Sequence, residues 1–181
     1  MRDDLRIGPL RAGEIDALVA LTRDTWQHHY ASIILPAQID YMLAERYAPA
    51  LILSQLSRQG VWWDTLHCDG ILTGFVQYEL GTAPGELKID KLYIRYTERG
   101  RGHGGILLQH VEQEARSLGC HRLYLQVNKN NASAIGAYRK HGFEITDSAV
   151  FDIGNGFVMD DHIMSKALAP LPPLPPAAAG R

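Results

Sequence analysis

The chain has 181 residues, 46% of them hydrophobic and 21% charged, with a formal net charge of −2. That length can enclose one sizeable core without staples, and the charge balance argues against a nucleic-acid or membrane-surface partner. Cys68 and Cys120 form neither a disulfide framework nor a metal pattern, no signal-type stretch follows Met1, and no run approaches the ~18 apolar residues of a membrane span. The expectation is a cytoplasmic protein with two reduced thiols.

Residues 5–10 read as a first strand, stopped at Gly8-Pro9. Residues 13–30 have helical spacing, with Ile15, Leu18, Val19, Leu21, Thr22 and Trp26 on one side. Pro36 suits the first turn of a second helix, whose apolar face is Ile39, Met42, Leu43 and Tyr47. Residues 50–59 read as a further helix, with Gly60 at its C-cap. Residues 61–67 and 71–80 form a hairpin about Asp69-Gly70, a strong two-residue turn signal.

In residues 86–94 the apolar positions Leu87 and Ile89 give way to Leu92 and Ile94. This break of phase predicts a β-bulge near Asp90-Lys91. A helix follows over 104–118, a strand over 122–127, a helix over 132–140, and two strands over 143–153 and 157–166, joined by Gly154-Asn155-Gly156. The fold class is α+β: a mixed, mostly antiparallel sheet of six to seven strands with helices on both faces. One domain spans 1–168, and the Pro/Ala-rich residues 169–181 form a solvated tail.

The most informative stretch is Leu92-Tyr-Ile-Arg-Tyr-Thr-Glu-Arg99-Gly100-Arg101-Gly102-His103-Gly104-Gly105-Ile-Leu-Leu108. A strand feeds a loop with four glycines, which opens onto a helix. Such glycines let several backbone N–H groups converge, and the helix N-terminus adds partial positive charge, so the loop is a cradle for a phosphate or pyrophosphate. It lacks the lysine of a P-loop. Gly100 to Gly105 also satisfies G-x-G-x-x-G, but the following strand ends Gln126-Val127-Asn128, without the acidic residue a dinucleotide site places there.

Arg99-x-x-Gly102-x-Gly104 resembles the R/Q-x-x-G-x-G/A signature of the GCN5-related N-acetyltransferases. About 30 residues on, Asn131, Tyr138 and Gly142-Phe143 resemble that family's second signature. The resemblance implies a GNAT fold and acetyl transfer from acetyl-CoA to an amine in a ternary complex, with no metal. It implies that Leu92, Tyr93 and Ile94 receive the cofactor's pantetheine arm, with a backbone N–H polarising the thioester carbonyl. Residues Arg99, Gly100, Arg101, Gly102, His103, Gly104 and Gly105 would wrap the pyrophosphate. Asn131 would bind the arm, or cap the helix it precedes.

By the same resemblance Tyr138 is the proton donor to the leaving thiolate. Asp90 is the first candidate base for the amine, with Glu86 and the Asp160-Asp161-His162 cluster in reserve. Adjacent strand residues face opposite ways, so Lys91 is expected to be a poor partner for Asp90. Trp26, His28, His29, Tyr30, Tyr41 and Met42 lie where the family walls its acceptor pocket, and aromatic faces there suit a cationic amine. Residues 157–166 resemble the last strand of bacterial small-molecule acetyltransferases, polyamine enzymes among them. A homodimer is compatible with the sheet edges. The alternatives are a non-catalytic acyl-CoA-binding or sensor protein and a protein N-terminal or lysine acetyltransferase.

Overall fold

The computed structural model describes residues 4–169. Seven strands form one sheet: β1 (Leu5–Pro9), β2 (Val61–Cys68), β3 (Ile71–Leu80), β4 (Glu86–Ile94), β5 (Arg122–Asn128), β6 (Glu144–Gly154) and β7 (Phe157–Ala167). Their order is β1-β2-β3-β4-β5-β7-β6, antiparallel throughout except for the parallel pair β4–β5. The helices are α1 (Ile15–His29), α2 (Pro36–Arg46), α3 (Pro49–Gln55), α4 (His103–Ser117) and α5 (Ala132–Lys140). This is the expected mixed α+β architecture. Residues 170–181, most of the expected tail, lie outside the described residues.

Each face of the sheet carries its own core. On one side α4 and α5 bury Leu107, Val111 and Ile135 against Leu66, Val76, Leu87, Leu123 and Met164. On the other, α1 to α3 bury Leu18, Leu21, Trp26, Met42 and Ile52 against Val61, Trp63 and Phe75. The β2–β3 turn has positive φ at both Asp69 (51°) and Gly70 (80°), the geometry a two-residue type I′ hairpin requires. Among the described residues no helix is long and apolar enough to cross a membrane.

The third helix is shorter than its sequence suggests. It ends at Gln55, not residue 59, and Gly60 (φ 79°) belongs to the turn that starts β2 rather than to a helix cap. Ser54 Oγ donates to Leu51 O and Ser57 Oγ to Ser54 O. These side chains compete for helix carbonyls, and after Leu56 no apolar residue remains before Gly60 to hold a further turn against the core.

The bulge lies where the phase of β4 breaks. Gln77 pairs with Lys91 but Tyr78 pairs with Ile89, so Asp90 is the extra residue. Before it, Leu87 and Ile89 face the α4/α5 core; after it, Leu92 and Ile94 do, while Tyr93 packs toward α1 and α2. Gly74 of β3 lies opposite Ile94, and a Cβ there would stand 2.8 Å from the Tyr93 carbonyl oxygen and 2.5 Å from Ile94 Cδ1. Because one obstacle is backbone, Gly74→Ala is expected to destabilise the fold by about 1–3 kcal/mol, read as a lower urea midpoint at unchanged slope.

Candidate active site

Parallel pairing between β4 and β5 begins at Glu86↔Arg122 and stops at Ile89↔Leu125. Beyond it the strands part, β4 staying with β3 as far as Ile94 and β5 with β7 as far as Asn128. The wedge opens a cleft of about 660 Å³, lined by both strands, the glycine loop, and the facing ends of α1, α2 and α5. On its β4 side the backbone polar groups that would have met β5 are left for a ligand, as at any sheet edge.

At one end of the cleft sits the glycine loop. Gly100 and Gly102 have φ of 79° and 84°, a region other residues enter at a cost. The N–H groups of Gly105 and Ile106 turn back to Gly102 O at 3.0 and 3.2 Å. Those of His103 and Gly104, at the first turn of α4, remain for an anion. His103 is buried, and its Nδ1 has no partner among the described residues. Arg101 departs from expectation: it pairs with Glu98 at 3.1 Å and is absent from the cleft wall.

Arg99 also turns away from the loop. Its Nη1 donates to His29 Nδ1 at 3.0 Å, and His29 Nε2 donates to Asn131 Oδ1 at 3.0 Å. An arginine can only donate, so these partners fix the imidazole in its neutral Nε2–H form. Burial, then the adjacent Arg99 charge, lowers the His29 pKa and keeps that form. The same Asn131 Oδ1 accepts the Ala134 N–H at 3.2 Å and so caps α5. Asn131 thus fills the capping role. Tyr138, further along α5, lines the cleft and meets Phe143 edge-on at 5.9 Å. Burial, with Tyr30 nearby, raises its pKa above the ordinary tyrosine value, so the hydroxyl keeps its proton.

The other end of the cleft is walled by Trp26, Tyr30, Met42, Tyr93 and Met159. Trp26 packs on Tyr30 at 4.7 Å and Tyr93 at 6.0 Å. Two sequence candidates lie elsewhere. His28 stacks on Tyr96 at 4.8 Å, outside the cleft wall. Tyr41 donates to Ile153 O at 2.8 Å and stands against Gly154, so it braces the β6–β7 hairpin. Gln38, one turn earlier on α2, donates to Val158 O at 2.9 Å on the same hairpin. Spacing on α2 places Tyr41 beside Met42, but helix neighbours diverge by about 100°, and only Met42 points into the cleft.

Asp90 requires a correction. Its carboxylate meets Lys91 at 2.5 Å, Arg46 at 2.7 Å and Lys88 at 2.8 Å. The alternation that should have separated Asp90 from Lys91 fails because the bulge turns both to the α2 side of the sheet. Burial alone would raise the Asp90 carboxyl, but Lys91, Arg46 and Lys88 overcome it and hold the group well below the usual carboxylate range. A carboxylate so stabilised is a weak proton acceptor, which opposes the expected role as base. Glu86 is likewise engaged, with Arg122 at 2.5 Å.

Sequence reasoning passes over Arg46 and Lys88, which line the cleft, and ranks Asp161 only among the reserves. Arg46 lies four residues after Met42, on the same helix face. Asp161 falls in phase with Phe157 and Met159 on β7, a lone carboxylate on an apolar side. Both signals are present in the spacing.

A family model described as "Acetyltransferase (GNAT) family" matches residues 15–143. The chain belongs to the GNAT acetyltransferase family. It is 24% identical over 160 residues to a spermidine N(1)-acetyltransferase of Thermoplasma acidophilum, spanning 86% of this chain and 96% of the relative. It is 36% identical over 85 residues to a streptothricin acetyltransferase of Streptomyces lavendulae, 46% of this chain and 45% of the relative. Among solved structures, the PaiA N-acetyltransferase of T. acidophilum in complex with coenzyme A has a TM-score of 0.79 at 22% identity, covering 91% of this chain and 99% of that one.

The protein is therefore an acetyl-CoA-dependent N-acetyltransferase. The co-substrate supplies an activated acetyl thioester. The chain's features fit it: free N–H groups at a glycine-lined helix start for the pyrophosphate, and an unpaired strand edge for the pantetheine amides. Among the described residues no cluster of three or more His, Cys, Asp or Glu is placed to hold a metal.

A Cβ on Gly104 would make only ordinary contacts, with Ile94 at 3.8 Å and Leu92 at 3.9 Å, and so would project into the cleft rather than into the core. Gly104→Val is expected to leave the urea midpoint nearly unchanged while weakening acetyl-CoA binding at least about tenfold, a loss of about 1.4 kcal/mol by calorimetry.

Proposed function

We propose that the acceptor is a small aliphatic amine and that Tyr138 is the proton donor of the transfer. The observation that carries this reading is the parting of β4 from β5 directly opposite the Tyr138 face of α5. In that geometry Leu92, Tyr93 and Ile94 offer backbone groups to the pantetheine arm, as a strand would to its neighbour. The thioester end of the arm then lies toward Trp26, Tyr30 and Tyr93. Their rings form a compact aromatic wall that suits an ammonium on a flexible arm better than a folded protein segment. A sulfur that leaves with its electron pair needs a proton, and the Tyr138 hydroxyl carries one at every working pH.

The two similar enzymes are named for small amines, spermidine and streptothricin. This supports a polyamine-like acceptor. The charges of the cleft favour a second reading of the acceptor's remainder. Among the described residues Arg46, Lys88 and Lys91 line the cleft and meet Asp90, with Asp161 a second carboxylate near Arg46 and Lys88, so the wall there carries surplus positive charge. An amine that also bears a carboxylate or phosphate would complement it, whereas a long polycation would meet repulsion at its far end.

A panel of spermidine, spermine and amino-acid-like amines, assayed by coenzyme A release, separates the two acceptor readings. Tyr138→Phe is expected to lower kcat by about 10²- to 10⁴-fold, with calorimetric acetyl-CoA affinity retained. A Tyr138→Phe enzyme with wild-type kcat would remove the residue from the chemistry. Acetyl-CoA binding without turnover of any amine would favour the sensor reading.

A further inference from the structure

The amine must lose a proton before it can attack, and the carboxylate expected to take it, Asp90, is committed to three cations. A second carboxylate lies on the same cleft wall. Asp161 sits on β7, paired in register with Asn128, the last residue of β5 and the edge of the parting strands. In phase with Met159, it faces α1 and α2, and both line the acceptor end of the cleft. Its relative exposure is 7%, and Oδ1 is buried with no hydrogen-bond partner among the described residues. Neighbouring Asp160, by contrast, is exposed and pairs with Lys129.

A carboxylate buried without a donor is costly and is seldom left so unless something completes it. Resting on the small-amine reading above, we propose that Asp161 is the catalytic proton acceptor: it receives the acceptor's ammonium group and takes its proton. One N–H bond of the ammonium breaks, its electron pair stays on nitrogen, and an O–H bond forms on Asp161 Oδ1. The nitrogen is then free to attack the acetyl carbon. Asp161 later releases the proton to water at the cleft mouth.

The surroundings support this use. Arg46 approaches from α2, Lys88 from β4 and Lys129 from the segment after β5; Asp160 is its neighbour on β7, and Tyr30 lies near it in the turn after α1. Its β6 partner, Ala149, has no charge to add. Burial pushes the Asp161 carboxyl up to about 6, against Arg46, with Asp160 adding to the rise and Lys129 and Lys88 opposing it. A carboxylate raised this far is ionised at neutral pH yet more basic than an exposed one. The transfer also turns two buried charges into two neutral groups, which the surroundings favour. Asp90 then serves another purpose, gathering Arg46, Lys88 and Lys91 so that they do not bear fully on Asp161.

The test begins with the full chain alone. A carboxyl ¹³C NMR titration of aspartate-labelled protein is expected to show one resonance with a midpoint near 6, absent from Asp161→Asn. With acetyl-CoA saturating, wild-type kcat/KM should rise with pH to a break near 6, after allowance for the amine's own ionisation. In Asp161→Asn that break should vanish, with the rate at pH 7.5 reduced at least about 100-fold and climbing steadily toward the amine's own pKa. A purely structural role would not produce that recovery.

Asp147→Asn, at an exposed carboxylate of β6, should keep the wild-type rate at pH 7.5. If Asp161→Asn fails to fold, Asp161→Glu serves, with a displaced resonance and a shifted break. No aspartate titrating above 5, or an Asp161→Asn enzyme with the wild-type rate and profile, would overturn the assignment. Acetyl-CoA binding with no amine turned over by the wild type would instead overturn the acceptor reading beneath it.

Discussion

The parting of β4 from β5 is the constraint on which the rest of the molecule depends. A parallel pair that ran to its end would bury both edges and leave no room between α4 and α5. Here each strand keeps its outer partner, β3 or β7, and gives up its inner one after Ile89 and Leu125. The backbone groups thus released are left free for a ligand. The bulge at Asp90 lies one residue past the last pair. It re-aims Leu92 and Ile94 into the α4/α5 core and Tyr93 into the other, so the opened strand stays anchored on both faces.

A second arrangement holds the cleft's walls in register before any ligand arrives. His29 joins Arg99 of the glycine loop to Asn131 of the α5 cap. One neutral imidazole thereby links the end of α1 to the glycine loop and to the α5 cap on the two sides of the cleft. The hydrogen bonds are local, but they fix the relative positions of three segments far apart in sequence. Such preorganisation lowers the ordering cost of binding.

Much of this is legible in the sequence because it depends on local rules. The glycine loop, the Asp69-Gly70 turn and the phase break at Asp90 each reflect a backbone requirement that nearby residues must meet. The bulge follows from Leu87, Ile89, Leu92 and Ile94 alone. Its consequence does not: strand alternation taken at face value separates Lys91 from Asp90, and only the three-dimensional bulge brings them together. The cation cluster adds Arg46 from a helix 44 residues earlier, a meeting set by packing. Tyr41 and Met42 show the same limit, since adjacent aromatic and apolar residues on a helix do not reveal which one faces the ligand. The end of α3 escapes the sequence because propensity continues where burial does not.

The clasp between α2 and the β6–β7 hairpin has a bearing on how the lining of the cleft can change. Gln38 and Tyr41 grip backbone carbonyls of Val158 and Ile153, and Gln38 Nε2 also reaches Met159 Sδ at 3.3 Å. The two backbone contacts tolerate sequence drift on the hairpin so long as its shape is kept, whereas the contact to Met159 depends on the side chain there. Met42 and Arg46 ride on the same helix as the gripping residues, and Met159 and Asp161 on the same strand as Val158. Helix and hairpin together form a heritable cassette: a graft of either half alone from a relative would carry new pocket residues on a mismatched mount, whereas both halves moved together would bring their own alignment.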